Sequence, residues 1–119
     1  MLDLFLYNAS NGNSFPKYDL YLERNKTTVE VALAGYNRED LEVLIDCDRN
    51  LIIKTVDSYK PDEYPNREYI YKNLAKRKFK LCFKIKLDYE IDTCKFSNGL
   101  LIVTLTNTNK SKEVKLTIE

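Results

Sequence analysis

The sequence holds no histidine, no tryptophan and one methionine, and only three each of glycine, proline and cysteine. Without histidine there is no imidazole base for a serine or cysteine nucleophile, no histidine-ligated metal and no imidazole switch near neutral pH. Three glycines do not build a glycine-rich loop that cradles a phosphate through its backbone N–H groups. Cys47, Cys82 and Cys94 are odd in number and widely spaced, with no C-x-x-C, which excludes zinc-ribbon and thioredoxin-type chemistry. Reduced thiols acting as small buried side chains are expected instead. Charge of one sign is missing too. Nineteen Lys+Arg against eighteen Asp+Glu leave +1, so no global field commits the chain to nucleic acid or to an anionic membrane. No stretch approaches the ~20 apolar residues of a membrane helix. The opening MLDLFLYNAS carries Asp3 where a secretory signal carries Lys or Arg, and its apolar run is too short for one. These absences predict a cytoplasmic protein with no catalytic residue, no cofactor, no metal and no membrane span. The acidic pairs Glu39-Asp40 and Asp62-Glu63 fall in turns, where solvated carboxylates are ordinary.

What the chain does have is alternation. With 119 residues and 44% hydrophobic content it fits one globular domain with a single core. Val29, Val31 and Leu33 share one face of a strand, and Leu41, Val43 and Ile45 share one face of another. Asp48-Arg49-Asn50 reads as a tight turn between the latter and Leu51–Val56, which makes a hairpin. From Lys78 to Leu87 every second residue is large and apolar, the pattern of a half-buried antiparallel strand. Asn98-Gly99 joins Thr93–Phe96 to Leu100–Leu105, and both turn residues tolerate the positive φ that a two-residue hairpin loop demands. Seven or eight short strands and no sustained helical period predict an all-β antiparallel sandwich.

Two segments leave this body. Residues 57–76 form a long excursion interrupted by Pro61 and Pro65, in which Glu68-Tyr69-Ile70-Tyr71 has strand propensity. A strand carried on such a loop suits the edge of a second subunit. Residues 107–113 are a polar linker, followed by the alternating Val114–Glu119. That terminal segment is either the last strand of its own sheet or a peptide that adds to a sheet edge, with Leu116 and Ile118 filling pockets on one face. The basic stretch 72–86 resembles a nucleic-acid surface only until alternation is applied. Phe79 and Phe83 lie on the face opposite Lys78, Lys80 and Lys84, whereas a stacking platform needs aromatics and cations together.

Taken in order, these segments resemble the small heat shock proteins, the α-crystallin/Hsp20 family, and within it the bacterial inclusion-body-binding type. The residues that carry the resemblance are Phe15–Leu20, Val31-Ala32-Leu33-Ala34-Gly35-Tyr36 with Asp40-Leu41-Glu42-Val43, Arg67–Tyr71 with Leu74–Phe79, and Phe96-Ser97-Asn98-Gly99-Leu100-Leu101. Leu116-Thr117-Ile118 stands where the family keeps its I-x-I tripeptide.

The resemblance implies an ATP-independent chaperone that holds partly unfolded clients, not an enzyme. It also implies an immunoglobulin-like sandwich (the α-crystallin domain) at residues 15–106, between an arm at 1–14 and an extension at 107–119. By the same resemblance, residues 57–76 are a dimerisation loop carrying an exchanged strand, with Tyr69, Ile70, Tyr71 and Arg77 involved. Leu116 and Ile118 are the oligomerisation motif, and Leu41, Val43, Ile45 and Thr93 are the walls of the groove that takes it. Leu2, Leu4, Phe5, Leu6 and Tyr7 are the client-binding arm. The partners implied are further copies of the chain and unfolded proteins, with no specific nucleic acid. Departures from the family pattern are Cys94 at its alanine position, Leu100 for valine, Leu81 where a second arginine is common, Lys86 for proline, and a short arm that suggests smaller assemblies. Two alternatives stand beside this reading: a CS/p23-type co-chaperone or adaptor on a related sandwich, and a single-stranded nucleic-acid binder.

Overall fold

The computed structural model describes residues 4–8, 15–74 and 76–107. Its strands are β1 (Leu4–Asn8), β2 (Tyr18–Glu23), β3 (Lys26–Ala32), β4 (Leu41–Ile45), β5 (Asn50–Thr55), β6 (Lys80–Ile85), β7 (Tyr89–Ser97) and β8 (Leu100–Asn107). A 3-10 turn, Arg38–Asp40, leads into β4. The strands form two antiparallel sheets of four, in the orders β1-β6-β5-β4 and β2-β3-β8-β7. The expected all-β sandwich is the observed fold.

Turn chemistry sets the hairpins. Arg24 and Asn25 take φ of 51° and 68° between β2 and β3, and Asn98 and Gly99 take 53° and 77° between β7 and β8. Positive φ at both central residues gives the turn a twist that matches its strands. Between β4 and β5 the Asp46 carboxylate accepts from the Asp48 and Asn50 N–H groups, both at 2.9 Å, and from the Asn50 side-chain amide at 3.2 Å. These bonds hold the Asp46 carboxyl below its ordinary pKa, the Asn50 backbone N–H contributing most.

The core lies between the sheets, where alternate residues meet. Val29, Val31, Leu51, Ile53, Leu81, Phe83, Val103 and Leu105 are fully buried in it. The outward residues of β6, Lys80 and Lys84, are exposed, as the strict alternation requires. Phe79 and Phe83 are buried, so neither offers a ring to a nucleobase. Of the three cysteines only Cys82 is buried; Cys47 and Cys94 are exposed, which corrects the expectation that all three serve as core side chains.

A cluster of aromatic rings closes the end of the sandwich from which the long loop departs. Phe79 stands edge-on to Phe15 and to Tyr36, and Tyr36 lies 5.5 Å from Tyr59. Residues 56–79 contain no strand among those described. Glu68–Tyr71, expected to be a strand, is not one in the single chain, because a strand exists only where a neighbour completes its hydrogen-bond ladder.

Candidate functional site

Among the described residues the edge strands of the two sheets are paired on one side only, and two of them, β4 and β7, face each other across a groove of about 590 Å³. One wall is Leu41 and Val43 on β4. The other is Cys94 and Phe96 on β7, with Leu101 of β8 at the floor. Arg38 and Lys95 stand at the rim. The Arg38 position is set by the 3-10 turn: the Asn37 N–H donates to the Asp40 carboxylate at 2.9 Å and the Asp40 N–H to the Asn37 carbonyl at 2.9 Å. From there the Arg38 guanidinium reaches across to the Phe96 carbonyl at 3.4 Å. Although the Cys94 residue is exposed overall, partial desolvation of its thiol pushes the thiol pKa up.

Of the four residues expected to wall this groove, the structure brings Leu41 and Val43 together there. Ile45, which packs against the core as Leu41 and Val43 also do, is not among the residues that line the groove. Thr93 lies on the outer face of its sheet, beside Asp92, Thr28 and Thr104. The cause is a bulge. Ile91 pairs with Leu105, but Thr93 pairs with Thr104, so Asp92 is an extra residue on β7 and every side chain after it changes face. Cys94 and Phe96 thereby turn inward opposite Val103 and Leu101. Sequence reasoning missed Phe96, Cys94 and Arg38; the apolar Phe96 beside the Asn98-Gly99 turn was the available signal.

The long loop, rooted at the end of the sandwich where β4 begins, displays apolar surface. Ile70, Tyr71 and Leu74 are 102%, 81% and 82% exposed, and Tyr69 is half-exposed. The loop is braced from within. The Arg67 guanidinium stacks 3.4 Å above the Tyr64 ring and donates to the Tyr69 hydroxyl at 3.1 Å, while Lys72 sits 5.6 Å from the Tyr69 ring. Arg77, at the loop's return, lies 4.7 Å over the ring of Phe15. The strand β2, an edge among the described residues, exposes Tyr21 and Leu22.

The backbone of Leu4–Asn8, within the expected client-binding arm, pairs with β6, Leu4 opposite Ile85 and Asn8 opposite Leu81. Leu2, Leu116 and Ile118 lie outside the described residues. Among the described residues no group of three or more acidic or cysteine side chains is placed to hold a metal ion, and no helix is long and apolar enough to cross a membrane.

Two antiparallel four-stranded sheets with a long connecting loop and an open apolar groove between edge strands place the protein among the β-sandwich domains. The chain matches the Hsp20/alpha crystallin family over residues 19–119, and it belongs to that family. Among curated relatives, small heat shock protein IbpB of Shigella boydii is 31% identical over 101 residues, which cover 84% of this chain and 68% of that protein. IbpB of Salmonella typhi is 29% identical over 102 residues, 85% of this chain and 69% of that protein. In solved structures, a small heat shock protein of Synechococcus phage S-ShM2 is 34% identical with a TM-score of 0.64, covering 76% of this chain and 92% of that one. A C-terminally truncated AgsA from Salmonella typhimurium is 26% identical with a TM-score of 0.66, covering 87% and 97%. The family is one of small heat shock chaperones and is not known for enzymes.

Proposed function

We propose that this protein is an ATP-independent holdase that binds partly unfolded proteins in the cytoplasm, keeps them from aggregating, and works as an oligomer built from dimers. The observation that carries the assembly is the groove in which Leu41 and Val43 face Phe96 and Leu101. Side chains two residues apart on a strand lie about 7 Å apart on one face, so Leu116 and Ile118 have the spacing to seat beside Leu41 and Val43. The occupant is residues 114–119 of a neighbouring subunit. The exposed Tyr69, Ile70 and Tyr71 form a strand on the β2 edge of a partner, which satisfies the ladder that a single chain leaves open. Arg77 fixes where that strand leaves the body. The arm residues Leu2, Leu4, Phe5, Leu6 and Tyr7 supply client-binding surface, and the β6 edge paired by β1 becomes available whenever the arm lifts away.

The test is the native mass of the full chain carrying Leu116→Ser and Ile118→Ser. The expected result is a dimer-sized particle where the parent forms larger assemblies. An unchanged mass removes the docking role.

A further inference from the structure

The groove is not symmetric in charge, and the segment proposed to enter it is not either. Arg38 and Lys95 are the charged residues that line it; no carboxylate does. Arg38 precedes Leu41, so it marks the end at which β4 begins. At the far end, β4 runs through Ile45 to Asp46, whose carboxylate is fixed there by three hydrogen bonds. Beside it Glu90 of β7 pairs with Arg49 at 3.4 Å. The lining of the groove is therefore cationic where β4 starts, while the carboxylates past the end of β4 lie outside it and are met by Arg49 and Lys84. Arg38 also has donors to spare: its 3.4 Å contact with the Phe96 carbonyl uses one of five guanidinium N–H groups.

Leu116 and Ile118 are aliphatic side chains of nearly equal volume, flanking Thr117. Apolar burial alone hardly distinguishes a segment running one way along the groove from the same segment reversed. The flanking charges do distinguish them. Glu119 directly follows Ile118, whereas on the other side Lys115 precedes Leu116, with Glu113 three residues before it.

We propose that Arg38, aided by Lys95, fixes the direction in which the tail enters the groove by pairing with the carboxylate of Glu119, so that the tail runs antiparallel to β4 with Ile118 beside Leu41 and Leu116 beside Val43. The reversed tail would bring Lys115 to Arg38, where like charges repel, and carry Glu119 away from both cations that line the groove. This inference rests on the reading of the groove as the tail site and assigns its specificity. An exposed pair of this kind changes an equilibrium by only about two- to fivefold at one contact, and reversing a charge by about tenfold. An assembly with many such contacts multiplies the effect.

The experiment is a charge-reversal cycle on the full chain, with the concentration dependence of assembly followed by native mass measurement at low salt. Arg38→Glu and Glu119→Lys are each expected to weaken dimer-to-oligomer association about tenfold, and the double variant R38E/E119K to return within about twofold of the parent. The pairing R38E/E113K should give no such recovery. Additive losses in R38E/E119K, or recovery with E113K in place of E119K, would overturn the proposal. A neutral cycle with Arg38→Gln and Glu119→Gln reads the same coupling, so a folding defect in a reversed variant does not decide the outcome. Leu116→Ser with Ile118→Ser, measured alongside, separates the two claims. If that pair leaves the mass unchanged, the groove reading itself is wrong. If it yields dimers while the charge cycles stay additive, only the Arg38–Glu119 assignment is wrong.

Discussion

The Tyr36 hydroxyl closes a two-way bridge to the backbone of Arg77, donating to its carbonyl at 2.8 Å and accepting from its N–H at 2.8 Å. One side chain thus does for the return of the long loop what a neighbouring strand would do for a ladder. The ring itself packs against Phe79 and Tyr59, so both roots of the loop are tied to one aromatic cluster. Replacing Tyr36 by Phe keeps the ring and removes both bonds. The expected cost is about 1–3 kcal/mol in denaturant unfolding, since two polar backbone groups lose their partner. Faster hydrogen exchange at the Arg77 amide should accompany it, and an unchanged exchange rate there would contradict the role.

The same residue sets a dependence on alkaline pH. Burial, first among the causes, pushes the Tyr36 hydroxyl from its ordinary value of 10.0 up to about 12. The folded state therefore favours the protonated form. The resulting stability is complete below about pH 10 and declines as pH rises from there through about 12, because the unfolded chain gives up its proton first. Urea midpoints measured across that window should fall with pH. The fall should be shallower in the Tyr36→Phe variant, though not absent, because burial also raises Tyr18 and Tyr59.

Arg49 ties the two sheets together at the end of the sandwich opposite Arg38. It sits at φ 62° in the β4–β5 turn, and its guanidinium donates to the carbonyls of Lys86 and Leu87 at 3.2 Å and to that of Tyr89. Its Nη2 serves the carbonyls while Nη1 pairs with Glu90 at 3.4 Å, and a lysine has the charge but not the planar fork that places two nitrogens at once. Arg49→Lys is expected to cost about 1.5–3 kcal/mol. Thermal or urea unfolding that moves by less than a few tenths of that figure would show the bridge to be incidental.

Gly99 is constrained twice. Its φ is +77°, and a Cβ placed on it would stand 3.2 Å from the Ala34 Cα and 3.3 Å from the Ala34 Cβ. Gly99→Ala should cost about 1–3 kcal/mol, combining left-handed strain with displacement of the Ala34 segment. By contrast Asn98→Gly, at φ 53°, should leave the hairpin nearly unchanged. Comparable losses at the two positions would argue against this account of the turn.

How much of this was legible in the sequence differs from element to element, for physical reasons. The hairpins were, because Asn98-Gly99 and Asp48-Arg49-Asn50 carry their turn geometry locally. So was the buried face of β6, where Leu81, Phe83 and Ile85 alternate with lysines and Cys82. The groove was half legible. Period two puts Leu41 and Val43 on one face and the family resemblance made that face a groove wall, whereas the facing wall depends on the bulge at Asp92. A bulge leaves no apolar signature, yet it reverses the parity of every later residue on β7, so Thr93, expected there from the resemblance, faces outward while Cys94 and Phe96 stand in the groove. The pairing of Leu4–Asn8 with β6 was not foreseen either. Register between distant strands is set by the edge that β6 offers, not by the arm's own sequence. Arg38 escaped notice because a lone arginine in a charged turn acquires its meaning only from the groove beneath it.

The central claim is that the protein holds unfolded clients without nucleotide, and light scattering from a heat-aggregating client measures it most directly. The full chain, added substoichiometrically in oligomer units and with no ATP present, is predicted to suppress the rise in scattering and to retain the client in soluble complexes. Scattering that rises as fast with the protein as without it, across several clients and temperatures, would contradict the account.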